Sequence, residues 1–435
     1  NSLQRLKPCF MMSPTSAAQC LPKQIDIFDV LIIDEASQMN PEEAIGLIAR
    51  CKQIIIVGDQ KQLPPDNRWK SSLNDDDDDD YSDSVEMDIN ESILELATKV
   101  LNTKDCSLGW HYRSTHNSLI DFSNKFFYKN ALTIFPSNEI GSRINLVKVE
   151  NPHYHQSLNK PEVLTVIETL KSQIKEDPTK TILIASMNKD QADEIQIELD
   201  KICSEDNLVS DYISSHKGNL EELMIKNLEN IQGDERDAII ISTVYGKDKS
   251  GQVMQRFGPI NKAYGHRRLN VLFTRAKKRN HVVSSLHPND IRVDGKSSRG
   301  TKVFANFIEY AKTGNLNPGE ISDEKPETPF EKEVKEIIEN KGYEVKCQVG
   351  VAGYRIDLAV KHPNWPDGFL AGIECDGATY HSGNCARDRD VARQKILEGL
   401  GWNIHRIWST DWFNNPNQTA EKMFNQLDNW MSKID

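Results

Sequence analysis

Two adjacent carboxylates at the end of an apolar run are the first residues that could do chemistry. The stretch "DVLIIDEASQM" carries Asp34 and Glu35 directly after a run of branched apolar residues. One such carboxylate can hold Mg²⁺, and its neighbour can orient and deprotonate an attacking water. The next apolar run leads into "VGDQKQLPP", where Gln62 is placed to sense a γ-phosphate, because ligands of parallel sheets bind at the carboxyl ends of the strands. The pattern predicts ATP hydrolysis with Mg²⁺.

Three later blocks supply the groups that phosphoryl transfer needs from a second domain. "HYRSTH" carries Arg113, "RRLNVLFTRAKK" carries Arg275, and "QGDERD" carries Gln232, Gly233 and Glu235. Arginines from a second domain neutralise the charge that develops on the γ-phosphate. Either arginine alone is more often part of a surface salt bridge, but all the blocks in this order favour a catalytic role.

The blocks "DEAS", "GDQKQLPP", "HYRSTH", "QGDERD" and "RRLNVLFTRAK" resemble motifs II to VI of superfamily 1 helicases of the type of the eukaryotic RNA-surveillance helicase and its bacterial relatives. The resemblance covers residues 9–285. It implies ATP and Mg²⁺ as cofactors. By this resemblance the magnesium and water residues are Asp34 and Glu35, the coupling residue is Gln62, the arginine fingers are Arg113 and Arg275, and the nucleotide contacts are Gln232, Gly233 and Glu235, with Glu235 at the ribose.

The phosphate-binding loop GxxxxGK[ST] of this family does not occur in the sequence. The one GK[ST], in "DGKSS" at Gly295, has no glycine at the first position and no strand before it, so we reject it. We expect the loop upstream of Asn1. Without the backbone amides and lysine of that loop, the chain as given should bind ATP poorly.

A second acidic cluster lies near the C-terminus. Glu331 falls on a predicted helix, Asp357 ends "GYRID", and Glu374 and Asp376 stand in "GIECDG". Residues two apart on a strand project from the same face, so Glu374 and Asp376 can converge with Asp357 on one divalent metal. Such a metal activates water and stabilises charge on a scissile phosphate. Solvated strand ends are the more common explanation of such residues, and spacing alone leaves both open.

This order of acidic residues is similar to that of PD-(D/E)XK nucleases, particularly the branch of very-short-patch repair endonucleases, over residues 329–435. The resemblance implies Mg²⁺ or Mn²⁺ held by Asp357 and Glu374. It also implies catalytic roles for Glu331, Asp376 and His381, the last at the place of the catalytic histidine of the repair enzymes.

One position departs from the nuclease pattern. Asp376 stands where E-x-K has its lysine. We expect the role of that lysine to pass to His381, Arg389 or Gln394. The arginines of the following predicted helix are candidates for contacts with DNA phosphates.

Composition restricts the class of protein. At 435 residues the chain is long enough for two or three domains, and no apolar run approaches the roughly 18 residues of a membrane helix. The net charge is −12, but Asp75–Asp80 alone contribute six negative charges, whereas residues 261–280 carry seven basic residues and no acidic ones. The eight cysteines form no CxxC pair, which predicts reduced thiols and a cytoplasmic protein.

Alternating strand and helix patterns predict an α/β fold with two RecA-like parallel-sheet domains, the first truncated at its N-terminus, and a small restriction-endonuclease-like α/β domain. The predicted bounds are 1–103, with an acidic loop at 66–90, then 104–286, a linker with a short helix at 287–328, and 329–435.

The sequence therefore predicts an ATP-dependent DNA helicase or translocase joined to a metal-dependent DNA endonuclease. Bacterial foreign-DNA defence or DNA repair, with partner proteins of such a system and no membrane partner, is the expected setting. Two alternatives stay open. The last domain could be a DNA-binding module that has lost catalysis, or the motor could act on RNA.

Overall fold

The chain forms two compact units, residues 1–107 and residues 108–435. The acidic loop predicted at 66–90 and His381 lie outside the described residues. The structure, a computed structural model, describes residues 2–65, 91–101, 106–316, 325–350, 353–377 and 384–432, with the backbone alone for residues 2–3 and 384–390.

The first unit contains a sheet of two parallel strands joined by a helix. Ile33, Ala44 and Ile93 form a core on one face of this sheet, whereas Val30 is 44% exposed and Ile32 64% exposed on the other. Parallel sheets are usually covered on both faces. Within the described part of this unit the helices cover one face only. Its elements are α1 (Ser2–Leu6), α2 (Pro14–Cys20), β1 (Phe28–Ile33), α3 (Pro41–Ile48), β2 (Cys51–Ile56) and α4 (Ile93–Val100).

Five parallel strands form the larger sheet of the second unit, in the order β3-β9-β8-β6-β7. The branched apolar run of β6 is buried along its whole length, as a strand covered on both faces requires. The strands are β3 (Ile144–Lys148), the short pair β4 (Tyr154–His155) and β5 (Leu158–Asn159), β6 (Ile182–Ser186), β7 (Met224–Asn227), β8 (Arg236–Ser242) and β9 (Ala276–Ser284). The helices of this part are α5 (Ser118–Phe126), α6 (Lys160–Glu176), α7 (Lys189–Glu205), α8 (Asn207–His216), α9 (Gly265–Phe273) and α10 (Arg299–Thr313).

Helix α10 differs from its prediction as a short helix in a linker. Phe304, Phe307 and Ile308 are fully buried, and the rings of Phe307 and Phe273 stack at 3.4 Å between centroids. Apolar residues at helical spacing fix α10 against α9 and β3. This segment is therefore a structural part of the larger sheet domain rather than a connection.

The C-terminal domain has a four-stranded sheet in the order β10-β11-β12-β13, in which the last pair is parallel and the others are antiparallel. Phe330, Trp412 and Met423 belong to the core on one face. The elements are α11 (Pro329–Asn340), β10 (Val345–Val349), β11 (Ile356–His362), β12 (Trp365–Asp376), α12 (Asn384–Gly399), β13 (Ile404–Trp408), α13 (Ser409–Asn414) and α14 (Pro416–Met431). The predicted α/β class, with a parallel sheet and a separate small sheet domain, is confirmed.

The segment between α5 and β3 joins the two sheets of the second unit. Phe369 N donates to Asn138 O at 2.8 Å, and Ile140 N donates to Asp367 O at 2.7 Å. Trp402 Nε1 donates to the carbonyl oxygen of Pro136 at 2.8 Å. These bonds fix the C-terminal sheet to the larger sheet domain.

No helix among the described residues has the length and apolar character needed to cross a membrane. The seven cysteines whose side chains the structure describes carry free thiols.

Candidate functional site

Asp34 and Glu35 directly follow β1, at the carboxyl edge of the small sheet. Glu35 has a left-handed backbone conformation, with φ of 53°, and its amide donates to Asp34 Oδ1 at 2.9 Å. Both side chains are exposed. A non-glycine residue in this conformation is strained, and such strain clusters at functional sites.

Gln62 lies at the same edge, after β2, where its side-chain amide donates to Asp59 Oδ2 at 3.2 Å. Gly58 lets the turns after β1 and β2 approach closely, because a Cβ at this position would lie 2.9 Å from Ser37 N. The structure therefore brings Gln62 to the sheet edge that carries the acidic pair.

In the second unit, Arg113 and Glu235 meet although they are far apart in sequence. Arg113 Nε donates to Glu235 Oε2 at 2.6 Å, and Lys277 Nζ lies 3.4 Å from Glu235 Oε1. The hydrogen bond from Arg113 is the main cause that holds the pKa of Glu235 below its ordinary value. Gln232 and Gly233 form the preceding turn, with φ of 91° at Gly233.

The start of β9 holds the Arg113 segment in place, since Thr115 N donates to Lys277 O at 2.8 Å. Arg275 lies just before β9 and is only 3% exposed. Its Nε donates to the carbonyl oxygen of Val271 at 2.8 Å, at the end of α9. The finger role of Arg275 stays a prediction.

The basic segment 261–280 is largely neutralised by neighbouring carboxylates. Its ion pairs include Lys277 with Glu221 at 2.6 Å, Lys278 with Asp237 at 3.2 Å and Arg268 with Glu229 at 3.8 Å. The positive charge seen in the sequence therefore does not form an unbroken basic surface.

A row of polar residues crosses the C-terminal sheet. Strand register places Gln348 opposite Asp357 and pairs Glu374 with Arg406. Asp357 and Glu374 directly adjoin the pair Leu358–Ile373 on neighbouring strands. Asp376 is two residues from Glu374 and shares its face. The sheet thus brings together the three acidic strand residues that the sequence predicts.

Burial and mutual repulsion disfavour ionisation of these carboxyl groups. Burial raises the pKa of Glu374 to about 8, and the charge of Asp357 adds to this effect. Burial likewise raises the pKa of Asp357 to about 6, with contributions from Glu331 and Asp376. A cation bound between the carboxylates would relieve the repulsion.

Glu331 is 4% exposed and participates in the N-terminal cap of α11. Its carboxylate accepts hydrogen bonds from Thr328 Oγ1 at 2.8 Å, Glu327 N at 2.8 Å and Gln348 Nε2 at 3.0 Å. Gln348 has a left-handed φ of 52°. Glu331 therefore holds the side-chain amide of Gln348 beside Asp357.

Sequence reasoning missed three residues of this site: Gln348, Tyr354 and Arg406. The Tyr354 hydroxyl donates to Glu374 Oε1 at 2.8 Å. The Arg406 guanidinium lies 3.4 Å from Asp376 Oδ2. Strand register and backbone conformation bring these residues to the site, and neither leaves a signal in residue spacing.

Gln394, one candidate for the role of the missing lysine, forms a hydrogen bond within its own helix. Gln394 Nε2 donates to Glu398 Oε1 at 2.8 Å, one turn further along α12. The side chains of the other two candidates, His381 and Arg389, lie outside the described residues.

The C-terminal carboxylates are the candidate ligands for a divalent metal ion. Within the described ranges, no three His, Cys, Asp or Glu residues are arranged to hold a metal ion. Asp357 and Glu374 nevertheless fit a divalent cation in their chemistry, since both offer carboxylate oxygens and both repel each other.

Comparison with protein families identifies three regions of the chain. Residues 14–66 match the AAA_11 model and residues 89–287 match the AAA_12 model, each described as an AAA domain. Residues 330–427 match the model REase_MTES_1575. These two AAA regions are helicase domains of the Upf1-like superfamily 1 type. The C-terminal domain is endonuclease-like.

Similar proteins carry helicase names. An uncharacterized ATP-dependent helicase, the MG140 homolog of Mycoplasma pneumoniae, is 29% identical over 98% of this chain and 39% of its own length. MG140 of Mycoplasma genitalium is 30% identical over the same shares. The DNA replication ATP-dependent helicase/nuclease DNA2 of Gallus gallus is 25% identical over 63% of this chain and 25% of its own length. The chain thus spans about two fifths of the length of the two mycoplasma relatives.

Proposed function

We propose that the protein is an ATP-dependent DNA helicase or translocase linked to a metal-dependent DNA endonuclease. The observation that supports the nuclease is that Asp357 and Glu374 adjoin the pair Leu358–Ile373 on neighbouring strands, in a chain whose other domains are helicase domains. Foreign-DNA defence or DNA repair is the proposed setting.

The proposed helicase activity rests on the family match and on the residues that we assigned to the nucleotide in each of the two units. In this proposal Asp34 holds Mg²⁺, Glu35 orients the attacking water, and Gln62 senses the γ-phosphate. Arg113 is the proposed arginine finger of the second unit. ATP hydrolysis also needs a phosphate-binding loop, and the GxxxxGK[ST] pattern does not occur in this sequence.

The nuclease half assigns Asp357 and Glu374 to the divalent cation, Mg²⁺ or Mn²⁺. When bound, the cation supplies an activated water and stabilises charge on the phosphate. Tyr354 orients Glu374 through its hydroxyl. Glu331 holds the amide of Gln348, which lies opposite Asp357.

A DNA-binding module without catalysis is the second candidate for the C-terminal domain. The observation that favours it is Asp376 in place of the lysine of E-x-K. Both candidates include DNA binding, so cleavage distinguishes them.

The test is cleavage of supercoiled and linear plasmid by this chain with Mg²⁺ or Mn²⁺, with an RNA of matched length as a second substrate. Asp357→Asn and Glu374→Gln keep the side-chain shapes and remove the charges. Glu421→Gln is the matched control, because Glu421 is exposed on α14 away from the row. We expect metal-dependent cutting of DNA that both site variants lose by about 100-fold or more. DNA binding without cutting would favour the second candidate.

A further inference from the structure

We propose that Arg406 is the catalytic cation of the nuclease-like site and contacts the scissile phosphate. This inference rests on the proposed endonuclease function and deepens it. Phosphodiester cleavage develops negative charge on the phosphate oxygens, and a fixed cation beside the metal carboxylates stabilises that charge.

Strand register places Arg406 at this site. β12 and β13 run parallel, and Glu374 pairs directly with Arg406. Partners in a parallel ladder project from the same face, so the guanidinium stands on the face that carries Glu374 and Asp376. The row that crosses the sheet therefore ends in a positive charge at β13.

The contact of Arg406 with Asp376 does not use all the hydrogen-bond donors of its guanidinium. The guanidinium makes one long contact, 3.4 Å from its terminal nitrogen to Asp376 Oδ2. Its Nε is buried without a hydrogen-bond partner among the described residues. A guanidinium has five donors and binds phosphate oxygens in pairs. Asp376 orients this group, and the remaining donors are available to a phosphate.

Arg406 also acts electrostatically on the proposed metal ligand. Its charge favours the ionised form of Glu374 and so opposes the rise in that pKa. Arg393, from α12, lies over the ring of Tyr354 at 5.8 Å instead. Arg406 is thus the described arginine that is paired with Glu374.

A purely structural explanation is that Arg406 only neutralises Asp376. In that case, removing the charges of both Arg406 and Asp376 should restore the cleavage that is lost when Arg406 alone is neutralised. A catalytic cation behaves differently, because neutralising Asp376 cannot supply the missing charge at the phosphate. The double variant Arg406→Gln/Asp376→Asn separates the two explanations.

Single-turnover plasmid cleavage with Mg²⁺ or Mn²⁺ tests the proposal in Arg406→Gln, Arg406→Lys, the double variant and a matched control. The control is Lys361→Gln, because Lys361 is 26% exposed beside Glu344 and Arg406 is 21% exposed beside Asp376. We expect a loss of about 100-fold in Arg406→Gln, partial recovery in Arg406→Lys and none in the double variant. Lys361→Gln should cut as the parent does.

Duplex binding in EDTA gives a readout that needs no metal. Arg406→Gln should reduce the slope of log affinity against log salt by about one, whereas Lys361→Gln should not change it. Thermal unfolding of each variant verifies that the domain is folded.

The outcomes separate this inference from the proposed function. Cutting by Arg406→Gln within about threefold of the parent, or full recovery in the double variant, would overturn the role of Arg406 and leave the nuclease standing. A parent that does not cut at all would overturn the proposed nuclease and the role of Arg406 with it.

Discussion

Arg113 and Glu235 are joined by a 2.6 Å hydrogen bond from Nε to Oε2 although 122 residues separate them in the chain. Each belongs to a block that we assigned to the nucleotide. The guanidinium is therefore held by a carboxylate in this structure rather than extended into solvent. Contact of a nucleotide with either side chain would have to compete with this bond.

Arg113→Met should raise the pKa of Glu235 toward its ordinary value. The hydrogen bond from Arg113 is the largest cause of the lowered pKa, and Lys277 contributes less. An NMR titration of the Glu235 carboxyl carbon measures the change. Lys278→Met is the control, because Lys278 pairs with Asp237 at 3.2 Å. An unchanged Glu235 pKa in Arg113→Met would contradict the paired geometry.

Gly58→Ala should destabilise the first unit by about 1–3 kcal/mol. The added Cβ would meet Ser37 N at 2.9 Å and Ala36 N at 3.1 Å, and both are backbone atoms of the turn after Glu35. Urea unfolding monitored by circular dichroism measures the loss.

Gly46→Ala is the matched control for this substitution. Gly46 is exposed on α3, and its nearest neighbour is the flexible Arg50 side chain at 3.4 Å. Alanine there should stabilise the helix by about 0.5–1 kcal/mol. A similar loss in both variants would show that the close approach at Gly58 does not determine stability.

The sequence was sufficient to predict the elements that carry the acidic residues. The apolar run that ends in "DE" marks a strand end, so Asp34 directly follows β1 as expected, whereas Asp357 is the second residue of β11 and precedes its apolar run. Acidic residues after strands are visible in sequence because the apolar run that precedes them is continuous.

The register between strands could not be predicted from the sequence. Arg406 is recognised as a partner of Glu374 only when β13 is aligned with β12, and one residue of slip would turn it to the other face. Helix α10 was underestimated for a different reason: Phe304 and Phe307 follow a helical spacing, but the polar residues around them resemble a linker.

Glu162 should make the stability of the larger sheet domain depend on pH. Its carboxyl group is fully buried and accepts hydrogen bonds from Ser242 Oγ at 2.7 Å and Val244 N at 2.6 Å. Burial raises its pKa to about 7. The folded state therefore keeps the proton at pH values where the unfolded chain, with an ordinary glutamate pKa, has released it. This stabilisation is complete below the unfolded pKa and is lost as pH rises through the folded one.

Glu162→Gln should remove this dependence, which amounts to about 1.4 kcal/mol per pH unit between the two pKa values. Urea unfolding of the variant and the parent at pH 5, 6 and 7 measures it. Glu168→Gln is the control on the same helix, since the Glu168 side chain is 73% exposed. Parallel pH profiles for the parent and Glu162→Gln would refute the assignment.

Trp402 should stabilise the contact between the C-terminal sheet and the larger sheet domain. It is 2% exposed, it stacks on Phe369 at 5.2 Å between ring centroids, and its indole N–H donates to Pro136 O at 2.8 Å. Trp402→Ala should lower the free energy of unfolding by about 3–5 kcal/mol. Trp402→Phe keeps most of the packing and leaves a carbonyl unpaired, so the loss should be about 1–3 kcal/mol.

Hydrogen exchange distinguishes a loss of docking from a general loss of stability. The amide of Ile140 donates across the contact to Asp367 O at 2.7 Å, so its protection should fall in Trp402→Ala. Amides of β6, deep in the larger sheet, should keep theirs, because that strand makes no bond to the C-terminal domain. Trp408→Phe is the control, since Trp408 is 39% exposed. Equal loss of protection at Ile140 and in β6 would mean that Trp402 supports the whole unit rather than the contact between its two sheets.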